Sequence, residues 1–343
     1  MMRIKYGIPF LLLFLFYTCE NNTGNTEVSL ESYNNYVKVP SSVSGIDFIN
    51  KIEHNLASKS NLFDYDYFYN GSGVGIADFN NDGLKDVFLC ANQAPNRLYL
   101  NKGDLTFEDI TQTSNINTNK AWSSGVTFAD INQDGWIDIY VSQGGPYQKG
   151  KRKNILLINQ GDLTFKEKAT EYGLDDTGIS TQSAFFDYDK DGDLDCIVMN
   201  ENDYYGLDPT RFYKLFENKE LLKDNSSHLY EQKEGKFIDI TEKAGLLKPS
   251  FGLGLCVSDL NNDNWLDIYI ANDYYVPDAM YINNGDGTFT DKIKSATKQI
   301  SFYGMGVDIA DINNDNLKDI YVLDMASSDH VRSKTLMASM NTS

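Results

Sequence analysis

One short pattern, D-x-[DN]-x-D-[GN]-x-x-D, occurs five times in this 343-residue chain. The copies lie within GVGIADFNNDGLKDVFLCAN from Gly73, GVTFADINQDGWIDIYVSQG from Gly125 and SAFFDYDKDGDLDCIVMNEN from Ser183. Two more lie within GLCVSDLNNDNWLDIYIAND from Gly254 and GVDIADINNDNLKDIYVLDM from Gly306. Their first aspartates are spaced by 52, 57, 72 and 52 residues. A repeat of this period restricts the chain to an array of similar small units.

Each pattern places oxygen donors at positions 1, 3, 5 and 9. The sets are Asp78, Asn80, Asp82, Asp86; Asp130, Asn132, Asp134, Asp138; and Asp187, Asp189, Asp191, Asp195. The fourth is Asp259, Asn261, Asp263, Asp267, and the fifth Asp311, Asn313, Asp315, Asp319. With a backbone carbonyl at position 7, these hard oxygens can converge on one point, which suits Ca²⁺. No His or Cys lies in any loop, which disfavours Zn²⁺ and Cu²⁺. Mg²⁺ fits less well because it keeps its waters and demands stricter geometry. Position 6 calls for a left-handed backbone, supplied by Gly83, Gly135 and Gly192 and by Asn264 and Asn316. A plain Asp-Gly hairpin turn explains positions 5 and 6. It does not explain carboxylates or amides at positions 1, 3 and 9, which would repel one another without a cation. The flanks are rich in Val, Ile, Phe and Tyr and read as strands, which excludes an EF-hand.

A second motif follows the first four loops: NRLYLNKGDLTFEDIT, KNILLINQGDLTFKEKAT, HLYEQKEGKFIDIT and AMYINNGDGTFTDKI. Each reads as strand, Gly-centred turn, strand. Every unit is therefore expected to hold four antiparallel strands, with the metal loop joining the first two. The predicted fold class is all-β, a β-propeller of four-stranded blades.

Gly73-Val-Gly75, Phe251-Gly-Leu-Gly254 and Tyr303-Gly-Met-Gly306, each followed by an aspartate loop, resemble FG-GAP/VCBS repeats. The fuller pattern NRLYLNKGDLTFEDIT and ANDYYVPDAMYINNGDGTF resembles the cartilage-acidic-protein-like branch. The resemblance covers roughly residues 44 to 335 and implies an integrin-α-like propeller with bound calcium. Such propellers have about seven blades. The fifth unit here has its loop and second strand but no closing hairpin, so the ring is expected to be incomplete and Ser343 a truncation point. Residues 44 to 53 (SGIDFINKIE) resemble the last strand of a unit and are expected to help close the ring.

The first 19 residues, MMRIKYGIPFLLLFLFYTC, have a basic start and an apolar stretch too short for a span of ~20 residues. They resemble a bacterial lipoprotein signal, with Cys19 as the lipidated residue, although Phe16, Tyr17 and Thr18 are bulky for that role. Residues 20 to 43 then read as a flexible tether and 44 to 343 as the repeats. The expected location is the outer membrane or cell surface, through the lipid anchor. Cys90, Cys196 and Cys256 sit in apolar runs and read as small buried hydrophobes.

The insertion NENDYYGLDPTRFYKLFENKELLKDNSS lengthens the third interval. Asp208-Pro209 reads as a helix start, with Phe212, Leu215 and Phe216 as an apolar stripe. Tyr147, Tyr204-Tyr205 and Tyr274-Tyr275 can pack between blades or stack on sugars.

The chain carries 49 acidic and 30 basic residues, a net charge of -19, so a cationic nucleic-acid face is not expected. Sixteen of those acidic residues lie at positions 1, 3, 5 or 9 of the five loops. No nucleophile elbow, P-loop, dinucleotide fingerprint or HExxH is present, and His54, His228 and His330 occupy unlike contexts. The expectation is a calcium-stabilised, non-catalytic binding or adhesion module with an extracellular protein or glycan ligand. The alternatives are an accessory or partial domain of a carbohydrate-active enzyme, and a structural partner of an outer-membrane uptake complex.

Overall fold

The computed structural model describes residues 37–118, 122–146, 152–202, 213–274 and 276–325. Residues 1–36, where the sequence predicts a signal with Cys19 and the start of a tether, lie outside these, as do Tyr147, Tyr204, Tyr205, Tyr275, Asp208, Pro209, Phe212 and His330. Among the described residues, no helix is long and apolar enough to cross a membrane. From Pro40 onward the chain forms one compact unit.

That unit is a series of antiparallel meanders. The first comprises β1 (Val74–Ala77), β2 (Asp86–Leu89), β3 (Arg97–Asn101) and β4 (Phe107–Asp109). The second comprises β5 (Ser123–Ala129), β6 (Asp138–Gln143), β7 (Ile155–Asn159) and β8 (Phe165–Glu167). The third holds β9 (Ile179–Phe186), β10 (Asp195–Glu201), β11 (His228–Lys233) and β12 (Lys236–Asp239). The fourth holds β13 (Gly252–Ser258), β14 (Asp267–Asn272), β15 (Ala279–Asn283) and β16 (Phe289–Asp291). A fifth sheet has two strands, β17 (Gly304–Ala310) and β18 (Asp319–Asp324). Strand order within every sheet follows the chain. One register recurs: the residue before the aspartate loop lies opposite the position-9 aspartate, as in Ala77 with Asp86 and Ala129 with Asp138. These are propeller blades, in an arc that does not close.

First strands of successive blades lie against one another, β1 on β5, β5 on β9, β9 on β13 and β13 on β17. Convergence of backbones explains the glycines ahead of each loop. A Cβ on Gly125 would stand 2.4 Å from Thr181 O, and one on Gly254 would stand 2.8 Å from Val307 N. Gly125→Ala should therefore lower the unfolding free energy by about 1–3 kcal/mol, seen as an earlier urea midpoint, because backbone cannot yield as a side chain does.

The core lies between blades, and strand alternation builds it. Along β10, Cys196 and Val198 face blade two, beside Tyr140 and Leu156. Ile197 and Met199 face blade four, beside Ile268 and Ile270. Of the three cysteines predicted to be buried hydrophobes, Cys90 and Cys196 are buried but Cys256 is only half-buried; all three are free thiols. On β18, Ile320 and Val322 pack toward blade four, while Tyr321 and Leu323 are exposed.

Two expectations need correction. Residues 44 to 53 form no strand. A short helix, α1 (Ser41–Ser44), ends at Gly45 with φ +76°. Gly45 leans on the fourth strand of the next blade, where a Cβ would stand 2.3 Å from Phe107 O. Gly173, after α2 (Ala169–Tyr172), stands the same way over Phe237 O, and Gly245 over Phe289 O. The segment is thus a post-blade turn followed by an irregular run held by side chains. Tyr99 Oη donates to Asp47 at 3.1 Å and Asn50 Nδ2 to Asn92 at 2.7 Å.

The second correction concerns the insertion helix. Its described part is a 3-10 turn (Lys214–Glu217) and a helix, α3 (Lys219–Asp224), whose N-cap is Asn218, accepting from Leu221 N at 3.1 Å. Leu215 is buried, but Phe216 is exposed, so the apolar stripe is narrower than the sequence suggests. The helix is tied to blade three through His228. Its Nδ1 lies 2.5 Å from Asp176 Oδ2 and its Nε2 lies 2.8 Å from Lys223 O. Tyr230 Oη and Gly178 N also donate to Asp176, at 2.8 and 2.7 Å. With an acceptor at each ring nitrogen, His228 is a buried imidazolium, raised to about 9. Burial pulls its pKa down, but the Asp176 charge and hydrogen bond outweigh that.

Candidate metal centres on the blades

The five aspartate loops connect the first and second strands of their blades, as the sequence predicts. Their backbone is specialised at two positions. Position 6 is left-handed in every loop, at Gly83, Gly135, Gly192, Asn264 and Asn316, as expected from residue type. Position 4 is left-handed too, at Asn81, Gln133, Lys190, Asn262 and Asn314. Sequence reasoning missed this second site: Asn81, Asn262 and Asn314 were a cue for it, but Gln133 and Lys190 broke the pattern. The two reversals turn the side chains of positions 1, 3 and 5 inward onto the loop's own N–H groups.

In the second loop, Asp130 Oδ1 accepts from Asp134 N at 3.0 Å and its Oδ2 from Gly135 N at 2.8 Å. Asn132 Nδ2 donates to Asp134 Oδ2 at 2.8 Å. Loops one, four and five repeat these bonds through Asp78, Asn80 and Asp82, through Asp259, Asn261 and Asp263, and through Asp311, Asn313 and Asp315.

The position-9 aspartates stand apart. Asp86, Asp138, Asp195 and Asp267 are buried, and Asp319 is half-buried. In the four complete blades both oxygens accept backbone N–H groups. Asp138 Oδ2 takes Ile131 N at 2.9 Å and Oδ1 takes Asn159 N at 2.8 Å. Asp86, Asp195 and Asp267 do the same with Phe79 and Asn101, Tyr188 and Gln232, and Leu260 and Asn283. Each carboxylate therefore pins its loop to the third strand of its own blade. Burial pushes Asp138 up to about 6 and Asp195 up to about 7. A desolvated anion surrounded by other carboxylates takes up protons or a cation more readily.

Loops of neighbouring blades are also joined. Asn81 Nδ2 donates to Gly135 O and Gln133 Nε2 to Gly192 O, both at 3.1 Å. Lys190 Nζ sits 3.9 Å from the Trp265 ring centroid. Deeper in, Asn159 Nδ2 donates to Phe79 O of the preceding blade at 2.9 Å, and Asn283 Nδ2 to Tyr188 O at 2.8 Å. The recurring Asn at the end of the third strand (LYLN, LLIN, MYIN) was the visible signal for this role. Loops one to four are thus linked in series along one rim.

Of the tyrosines weighed for sugar stacking, Tyr274 is described, and it is a packing residue. Its ring meets Phe251 and Tyr303, and its Oη donates to Asp66 at 2.6 Å. Nearby, Tyr65, Tyr67, Phe68 and Trp122 form an aromatic cluster that no local pattern singles out.

The third loop brings three carboxylates together. Ligand oxygens of Asp187, Asp189 and Asp195 all lie within 4.8 Å of one another. Asp187 Oδ1 is buried and has no hydrogen-bond partner. Residues 78–141 and 259–322 match the family described as FG-GAP-like repeat. The chain carries FG-GAP-like repeats. Among curated proteins this chain is 24% identical to human cartilage acidic protein 1 over 220 residues, covering 64% of this chain and 31% of that one. It is 29% identical to mouse integrin alpha-8 over 154 residues, covering 40% and 14%. The chain therefore spans about a third or less of these relatives' lengths. Among solved structures, an Agrocybe aegerita lectin that recognises non-reducing terminal N-acetylglucosamine superposes with a TM-score of 0.40 at 18% identity. That alignment covers 72% of this chain and 59% of the lectin.

Proposed function

We propose that this chain is a calcium-stabilised, exported binding or adhesion module without catalytic activity. Its partner is an extracellular protein or glycan, and Cys19 anchors it by lipid to the outer membrane or cell surface. The observation that carries the calcium reading is the third loop. Its three convergent carboxylates and the orphaned Asp187 Oδ1 are a donor set for a hard cation. Positions 1, 3, 5 and 9 of each loop would hold Ca²⁺, which would supply charge neutralisation and cross-linking within the loop. The integrin and cartilage acidic protein relatives support the binding role.

Chelation tests the calcium reading. Removing an ion present at about a hundred times its dissociation constant costs roughly 2.7 kcal/mol per site. The melting temperature should fall by about 5 °C or more. A melt that EGTA leaves unchanged would sink it. A glycan and protein array probed with the calcium-loaded chain tests the binding role, with capture and no product release as the expected result.

A further inference from the structure

We propose that the third loop is the tightest of the five cation sites and the first to fill. This rests on the calcium reading above. The other four loops carry Asn at position 3, and its amide donates to the position-5 aspartate at 2.7 to 3.1 Å. Their position-5 N–H also donates to the first aspartate, at 3.0 to 3.2 Å. These loops satisfy much of their own carboxylate charge.

The third loop has Asp189 at position 3, so that donor is replaced by another acceptor. Asp191 N reaches Asp189 Oδ1 at 3.3 Å, and Asp187 Oδ1 is left buried with no partner. Even the Gly192 N to Asp187 Oδ2 bond is longer, at 3.2 Å against 2.8 Å in each of the other loops. Position 7 adds a second such atom, Asp193 Oδ1. Among the described residues, both buried carboxylate oxygens without a hydrogen-bond partner belong to this one loop. An extra ligand charge and unmet acceptors both raise affinity for a divalent cation, because ligand charge count tunes calcium affinity over decades. A cation here replaces no internal hydrogen bond at Asp187 Oδ1, whereas in its neighbours it competes with one.

Calcium titration of the full chain by calorimetry, with native mass spectrometry for stoichiometry, tests this. One ion should bind about tenfold or more tightly than the rest. Asp189→Asn, which installs the residue the other loops carry and so keeps the fold, should abolish that tight class and leave the weaker one. Asn132→Asp should create a second tight site in loop two. Five equivalent sites in the wild type, or a tight class that survives Asp189→Asn, would overturn the assignment while leaving the calcium reading intact. No calcium uptake by any loop would overturn both.

Discussion

Replacing Asp138 by alanine lowers the unfolding free energy by about 3–5 kcal/mol, and does so even in excess chelator. The side chain is fully buried, and each of its oxygens receives a backbone N–H, from Ile131 and Asn159. Alanine leaves both donors without a partner at the junction of β5, β6 and β7. A buried unsatisfied donor costs roughly 1–3 kcal/mol, and the lost side chain leaves a void. Asp138→Asn keeps one acceptor and turns an NH₂ toward the other donor, so about half the loss is expected. Urea unfolding of wild type and variants in chelator measures it. If alanine destabilises the protein with calcium present but not in chelator, the carboxylate serves the ion alone and this account of it is wrong.

The second large effect is a loss of stability as pH rises. His228 holds its proton in the folded protein up to about 9, against an ordinary value near 6.5. A raised folded value means that the contribution is complete below pH 6.5 and is lost as pH climbs through 9. The full shift corresponds to about 3 kcal/mol. The groups that face the ring are Asp176, Tyr230, Asn200 and the Lys223 carbonyl, with Asp239 contributing charge from β12. Other side chains titrate in this range, so the readout is the difference between wild type and His228→Asn at pH 6.5, 8 and 10. The wild-type advantage should shrink with pH. An advantage that stays constant would mean the ring is neutral in the fold. Because Nε2 holds the Lys223 carbonyl, α3 should be the first segment to gain hydrogen exchange.

The parts of this architecture that follow from neighbouring residues were readable in the sequence. Oxygen donors two apart, a glycine or asparagine at position 6 and β-branched flanks define each loop and its two strands locally. The hairpins after the loops were readable for the same reason. What escaped depends on contacts between blades. The recurring Asn in LLIN marks Asn159 as special but does not say that it reaches the carbonyl of Phe79, 80 residues earlier. The position-9 aspartate looked like one more ligand. Its bond to the third strand becomes visible only once the register is known. Residues 44 to 53 alternate like a strand, yet Gly45 fixes them as a turn against Phe107, and alternation alone cannot register that contact. Asn218 before KELLKD was a legible cap for the described helix that the sequence reading passed over; Asp208-Pro209 lies outside the described residues.

The linked rim also determines how the arc can come apart. Along the rim, neighbouring loops bond through pairs such as Asn81 with Gly135 and Gln133 with Gly192. Such an array behaves as a one-dimensional chain of coupled units. Among the described residues, the two-stranded fifth sheet packs on blade four and shows Tyr321 and Leu323 to solvent. Within the described blades, loss of order is expected to enter at that sheet like an opening zipper.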